Sequence, residues 1–306
     1  MLPNINTSKI LQLRGQRAPV DPSSAPAIVT EIEEDSNGVP KQATTVFLIG
    51  KECPFRCLMC DLWKNTVSTP PPPGSLVSQV EAILPQITHR EIIKLYNASN
   101  FFDPQAVPPA ERTELGRLVK DFELVVVENH PNLVSGTVVD FAAKLEGRLQ
   151  VAMGLETADA TILAWLNKQM SIADYEFACG FLLEHQISVR TFLLLPAPGV
   201  EAEKMVEHTL ASVHRALQCG SEVTSLIPLR AGNGVMDWLV EQGHVRLPDL
   251  NVVVETFRAA LQIPRHKDQR VFLDLWNLDT LAAEDVDAAS VCILLERWNL
   301  NQALDC

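Results

Sequence analysis

The opening stretch of the chain has no sustained period of apolar positions. Over residues 1–43, Pro19, Pro22, Pro26 and Pro40 interrupt any long helix, and the stretch reads as an irregular extension. Order begins at residues 44–49, where the β-branched apolar run TTVFLI ends at Gly50 and predicts a buried strand. Apolar runs then alternate with segments of helical spacing. Further strands are predicted over 91–96, 123–127, 149–155, 187–195 and 222–229. Helices are predicted over 76–88, 109–121, 135–145, 158–166, 172–185 and 202–217.

Strands separated by single helices imply parallel βα units. Near-continuous apolar runs imply that both sheet faces are covered. Six such units fit a curved, incomplete barrel better than a closed one of eight. No glycine-rich phosphate turn follows the first strand, which argues against a dinucleotide-binding sheet. Beyond residue 235 the alternation weakens. Residues 250–261 and 282–298 read as helices, and 271–276 as a strand or a buried loop. The expectation is an α/β chain: a partial (β/α)6 barrel over 44–235, the irregular N-terminal extension 1–43, and a small helical C-terminal cap over 236–306.

Composition narrows the function classes. The 306 residues are 47% apolar, enough for a substantial core. The longest apolar runs, such as 192–195 and 124–127, are far too short to span a bilayer. Residues 1–13 lack a continuous apolar h-region, so a cytoplasmic protein without a membrane partner is expected. A net charge of −13 disfavours wholesale binding to a phosphate backbone. The densest basic stretch, Arg265, His266, Lys267 and Arg270, reads as a solvated loop.

Three of the seven cysteines carry the chemical signal. Cys53, Cys57 and Cys60 form Cys-x3-Cys-x2-Cys directly after the first strand. That spacing lets a tight loop aim three thiolates at one object, and loops that follow strands lie on the catalytic face of such barrels. A structural zinc site needs four closed ligands, and the next Cys or His is the isolated His89. A redox pair would use Cys57 and Cys60 and leave Cys53 idle. The third reading is a [4Fe–4S] cluster on three protein ligands. Electron-transfer clusters use four cysteines, so three leave one iron open to a ligand. Cys179, Cys219, Cys292 and Cys306 are scattered and read as buried or surface thiols.

Cys-x3-Cys-x2-Cys in the first βα loop of a six-unit domain resembles the radical S-adenosylmethionine superfamily, over residues 44–235. The resemblance implies that the open iron chelates the methionine end of S-adenosylmethionine. It also implies that one electron, from a flavodoxin or ferredoxin type donor, cleaves the sulfonium to give a 5′-deoxyadenosyl radical. Met59 stands where most members carry an aromatic residue over the adenine; its sulfur can pack on a ring. Asn97, Ala98 and Ser99 stand where the family receives the cofactor's amino group. Glu128 and Glu156 end two strands and place carboxylates on the rim, suited to ribose hydroxyls: Glu156 reads as a cofactor contact and Glu128 as a cofactor or substrate contact, with an N-cap or a surface salt bridge as the alternative for each. Arg190 lies within a strand, and there suits the cofactor's carboxylate or a structural pairing with Glu156. His130 reads as a substrate contact or as a hydrogen-bonded structural residue. Residues 94–104, 128–131 and 154–158 resemble the branch that acts in archaeosine synthesis, close to Elongator-like members. That resemblance implies a deazaguanine base in tRNA. The acidic charge and the lack of an RNA-binding appendage favour a small molecule or a peptide instead. A non-catalytic iron–sulfur or zinc-binding protein is the remaining alternative.

Overall fold

The computed structural model describes residues 2–281 and 287–304. Its frame is one eight-stranded sheet: β1 (Ala27–Glu34), β2 (Pro40–Phe47), β3 (Ile92–Tyr96), β4 (Leu124–Glu128), β5 (Arg148–Glu156), β6 (Ser188–Leu195), β7 (Val223–Pro228) and β8 (Arg270–Leu273). Strands neighbour one another in chain order. β1 and β2 are antiparallel, and every later pair is parallel. The helices are α1 (Thr7–Leu13), α2 (Ser75–Ile83), α3 (Pro109–Leu118), α4 (Gly136–Ala142), α5 (Ala160–Trp165), α6 (Ile172–Glu184), α7 (Met205–Gln218), α8 (Val235–Glu241), α9 (Leu250–Leu261) and α10 (Ala288–Asn301). This is a curled, partial barrel, as the alternation of elements predicts.

All six predicted strands are present, as β2 to β7, and the ambiguous run at 271–276 supplies β8. The extension is corrected. Residues 1–43 are not irregular: they hold α1, all of β1 and the start of β2. α8 was also not predicted, and the helix expected over 282–298 lies partly outside the described residues.

Strand alternation sorts side chains into two environments. Ile93, Leu95, Val125, Val127, Val151 and Val189 point outward and pack against the helices in the main core. Their neighbours point into the barrel, where Ala43, Ile92, Leu124, Val126 and Ala152 cluster with Tyr96 and Phe192. A third cluster lies at the C-terminal ends of the strands. It joins Ile5 and Ile10 of the N-terminal segment to Leu58, Leu166, Leu194, Leu229 and Met236.

The N-terminal halves of the strands carry charge inside the barrel. Lys94 pairs with Glu31 at 2.8 Å and with Glu33. Arg190 grips Glu33 at 2.7 and 3.2 Å and donates to Gln150 at 2.9 Å. Burial pushes the Glu33 carboxyl up, but Arg190 and then Lys94 pull it down to about 2. Fully buried charges persist only when paired this closely. β1 thus binds to the rest of the barrel through its acidic inward face, and the ion layer floors the lumen.

Candidate active site

The cysteine loop runs from the end of β2 to α2. Its root is held by Gln79 of α2, whose amide bonds Ile49 N–H at 2.8 Å and Ile49 C=O at 3.0 Å. Its tip is fastened from four directions across the barrel mouth. Asn100, after β3, donates to Cys53 Sγ at 3.2 Å. Asn233, after β7, donates to Leu58 O at 2.9 Å and Cys60 O at 3.2 Å. Asn167, after α5, donates to Arg56 O at 2.7 Å, while Leu58 N–H donates to Leu166 O at 2.9 Å. His130, after β4, stacks on Phe55 with ring centroids 3.8 Å apart.

The structure therefore places Cys53, Cys57 and Cys60 together at the mouth, each half-buried and unbridged. Burial raises all three thiols, Cys57 to about 11 and Cys60 to about 12. Repulsion between neighbouring members of the trio adds to each shift. Among the described residues no three His, Cys, Asp or Glu side chains converge on a single ion. Ligands of a four-iron cluster bind different irons, so their sulfurs surround a polyatomic unit rather than meet at a point. Met59 packs on the mouth cluster.

Beside the loop, polar atoms are buried without partners. After β3, Asn97 Nδ2 and Oδ1 and Ser99 Oγ make no hydrogen bond, and Glu128 Oε2 makes none. Ala98 takes a left-handed conformation, φ 50°. Burial raises the Glu128 carboxyl to about 7, opposed only by the backbone N–H groups of Ala98 and Asn97. Such atoms are costly to bury unpaired.

Glu156 ends β5 at a bulge, with φ 66°. Its carboxylate accepts from Lys168 Nζ at 2.7 Å, and both side chains are buried. A side chain at Gly154 would collide with this pair, which explains the glycine. The Lys168 ammonium also lies within electrostatic range of Cys57 and Cys53. His130 bonds Lys168 O through Nε2 at 2.9 Å and accepts from Asn132 N–H. Burial and then Lys168 lower His130 to about 4, so its imidazole is neutral.

Arg190 does not join these residues. Its guanidinium is taken by Glu33 and Gln150 in the floor layer, not by Glu156, and so is bound away from the cysteine loop. Of the remaining thiols, Cys179 is buried near Tyr175, Cys219 and Cys292 are half-buried, and Cys306 lies outside the described residues.

Several residues at the mouth carry no signal that spacing reveals. Glu52 is bound by Arg14 at 2.7 Å, by Arg17, and by Arg56 at 3.3 Å. Arg14 and Arg17 lie over the Trp63 ring, and Arg17 donates to Trp63 O at 2.7 Å. Trp165 Nε1 donates to Pro3 O at 2.7 Å. The N-terminal segment thus braces the cysteine loop. An Asn-Gly pair after the last long apolar strand was the available signal for Asn233; Lys168 had none.

No family model and no curated protein matches the chain. Solved structures do. Methylornithine synthase (PylB) aligns with a TM-score of 0.56 at 13% identity, over 85% of this chain and 69% of that one. Elp3 of Methanocaldococcus infernus aligns with a TM-score of 0.52 at 13% identity, over 75% of this chain. A radical SAM methyltransferase from Sphaerobacter thermophilus aligns with a TM-score of 0.50 at 16% identity, over 78% of this chain and 68% of that one. The chain spans 58% of the length of the archaeal Elp3 structure, a little over half. The fold of this chain is that of the radical S-adenosylmethionine enzymes.

Proposed function

We propose that the chain is a radical S-adenosylmethionine enzyme whose [4Fe–4S] cluster is held by Cys53, Cys57 and Cys60. One observation carries this reading. The three-thiol loop is fastened over the mouth of a parallel barrel, beside buried amide, hydroxyl and carboxyl atoms that have no partner in the protein. These residues fit the missing group: thiols suit iron, and the unpaired atoms suit the polar end of an amino acid. When bound, cluster and cofactor would supply one-electron cleavage of the sulfonium.

The chain's own residues then bind, orient and shield. Asn97, Ala98 and Ser99 would receive the amino group, with Glu128 beside them. Glu156, held by Lys168, would address the ribose, and Met59 would pack on the adenine. Asn100 orients Cys53, and the N-terminal segment excludes water from one side of the loop. The net charge of −13 supports a small molecule or a peptide as substrate, with tRNA as the alternative, and a flavodoxin or ferredoxin type donor as reductant.

Anaerobic reconstitution tests the proposal. A radical enzyme should turn brown, bind about four irons per chain, and release methionine and 5′-deoxyadenosine when reduced with S-adenosylmethionine. A colourless zinc protein, or a brown protein that never cleaves the sulfonium, would refute it.

A further inference from the structure

The basic stretch at 265–270 is not simply solvated. With Glu34 and Gln302 it lines a cavity of about 380 Å³ at the seam between β1 and β8. This is the floor end of the barrel, away from the cysteine loop. The volume falls within the range of about 300–1,000 Å³ common for small-molecule sites.

Two of the cavity's side chains are hydrogen-bonded to backbone carbonyls. Arg265 is pinned by carbonyls at the end of α9, donating to Leu261 O at 2.8 Å, and reaches Gln302 O at 3.3 Å. Arg270, the first residue of β8, is buried and donates to Lys267 O at 2.7 Å. Among the described residues it pairs with the carboxylate of Glu34, the last residue of β1, at 3.3 Å. His266 is already bound to Asp268. Two guanidiniums and the Lys267 ammonium therefore gather around Glu34, with Asp35 and Asp268 at the edge of the group. Their crowding is visible in Arg265, which burial and then Arg270 lower from its usual range.

Two buried atoms of the seam lack partners: Arg270 Nε, a donor, and Glu34 Oε2, an acceptor. A ligand that satisfies both must present an anionic acceptor and a hydroxyl donor together. Fully ionised tetrahedral anions such as sulfate have no donor for Glu34.

We propose that the cavity lined by Arg265, Lys267, Arg270 and Glu34 binds phosphate, either as hydrogenphosphate or as the ester of a small hydroxylated molecule. Guanidinium forks match phosphate oxygens, and Glu34 selects for a protonated or hydroxylated ligand. Bound there, the ligand clamps β1 to β8 and stabilises the fold by mass action.

The test is thermal unfolding of the full chain at constant ionic strength, titrated with inorganic phosphate, glycerol 3-phosphate or sulfate against a chloride background. Phosphate should raise the unfolding midpoint saturably, with half-saturation about tenfold below that of sulfate. Lys267→Ala should weaken every anion while leaving the midpoint in chloride unchanged. Glu34→Gln, whose amide can donate, should remove the preference for phosphate over sulfate. Half-saturation by glycerol 3-phosphate below that of phosphate identifies the ester as the ligand, and the reverse identifies the free ion. Absence of saturation, equal response to sulfate and phosphate in the natural chain, or indifference to both substitutions would overturn the proposal.

Discussion

The two ends of the barrel interior handle buried polarity in opposite ways. In the floor layer, Lys94, Arg190 and Gln150 are each bound to partners, and Glu33 joins two cations. At the mouth, the side-chain amide of Asn97, the Ser99 hydroxyl and one Glu128 oxygen are buried and bound to nothing, next to three thiols. Polar groups that serve folding are satisfied by the fold itself. Groups that stay unsatisfied are a standing cost, so the set of them beside the three thiols marks where a ligand belongs.

The largest effect that would sharpen this contrast is at the mouth. Cys57→Ala should reduce reconstituted iron from about four per chain to nearly none, while the iron-free protein keeps its circular dichroism spectrum. Retention of full iron content would remove Cys57 from the ligand set.

At the floor the loss should be one of stability. Glu33→Gln leaves Arg190 and Lys94 without their shared carboxylate and should cost about 3–5 kcal/mol at neutral pH. Glu33 titrates near 2 in the folded chain against an ordinary value of 4.5. Its contribution is therefore complete above pH 4.5 and is lost as pH falls toward 2. Urea unfolding at a series of pH values should show wild type and variant converging over that window. A gap that does not change with pH would contradict the assignment.

A smaller effect is expected where the mouth is held by hydrogen bonds. Asn233→Ala strips donors from the carbonyls of Leu58 and Cys60 and should cost about 1–3 kcal/mol, with lower iron uptake than wild type. Unchanged uptake would mean that the loop needs no fastening from β7.

The smallest effect has the opposite sign. Glu128 is raised to about 7 in the fold, so its ionisation between pH 4.5 and 7 works against folding. Glu128→Gln should raise the melting temperature slightly at pH 8 and leave it unchanged near pH 4.5. A lower melting temperature at pH 8 would show that the carboxylate has a charged partner besides the backbone N–H groups of Ala98 and Asn97.

Much of this was legible in the chain. The runs at 91–96 and 187–195 have strand periodicity strong enough to place β3 and β6 within a residue or two, and the spacing of Cys53, Cys57 and Cys60 points to their loop. β1 was not legible. Its sequence, AIVTEIEE, turns Glu31 and Glu33 into the barrel, where polar residues look wrong unless their partners are known. Those partners, Lys94 and Arg190, lie 61 and 157 residues away from Glu33 in sequence. The same distance hid the fate of Arg190. Its place within a strand was legible, but the carboxylate that takes it belongs to a strand the periodicity did not show. Lys168 went unassigned because nothing local marks a lysine that folds back onto Glu156.

The central claim concerns a coordination position, and the electron paramagnetic resonance spectrum of the reduced, reconstituted chain reads it directly. Addition of S-adenosylmethionine should shift the cluster signal if Cys53, Cys57 and Cys60 hold the cluster and leave one position for the cofactor. An identical spectrum with and without the cofactor, in protein carrying a full cluster, would contradict the account.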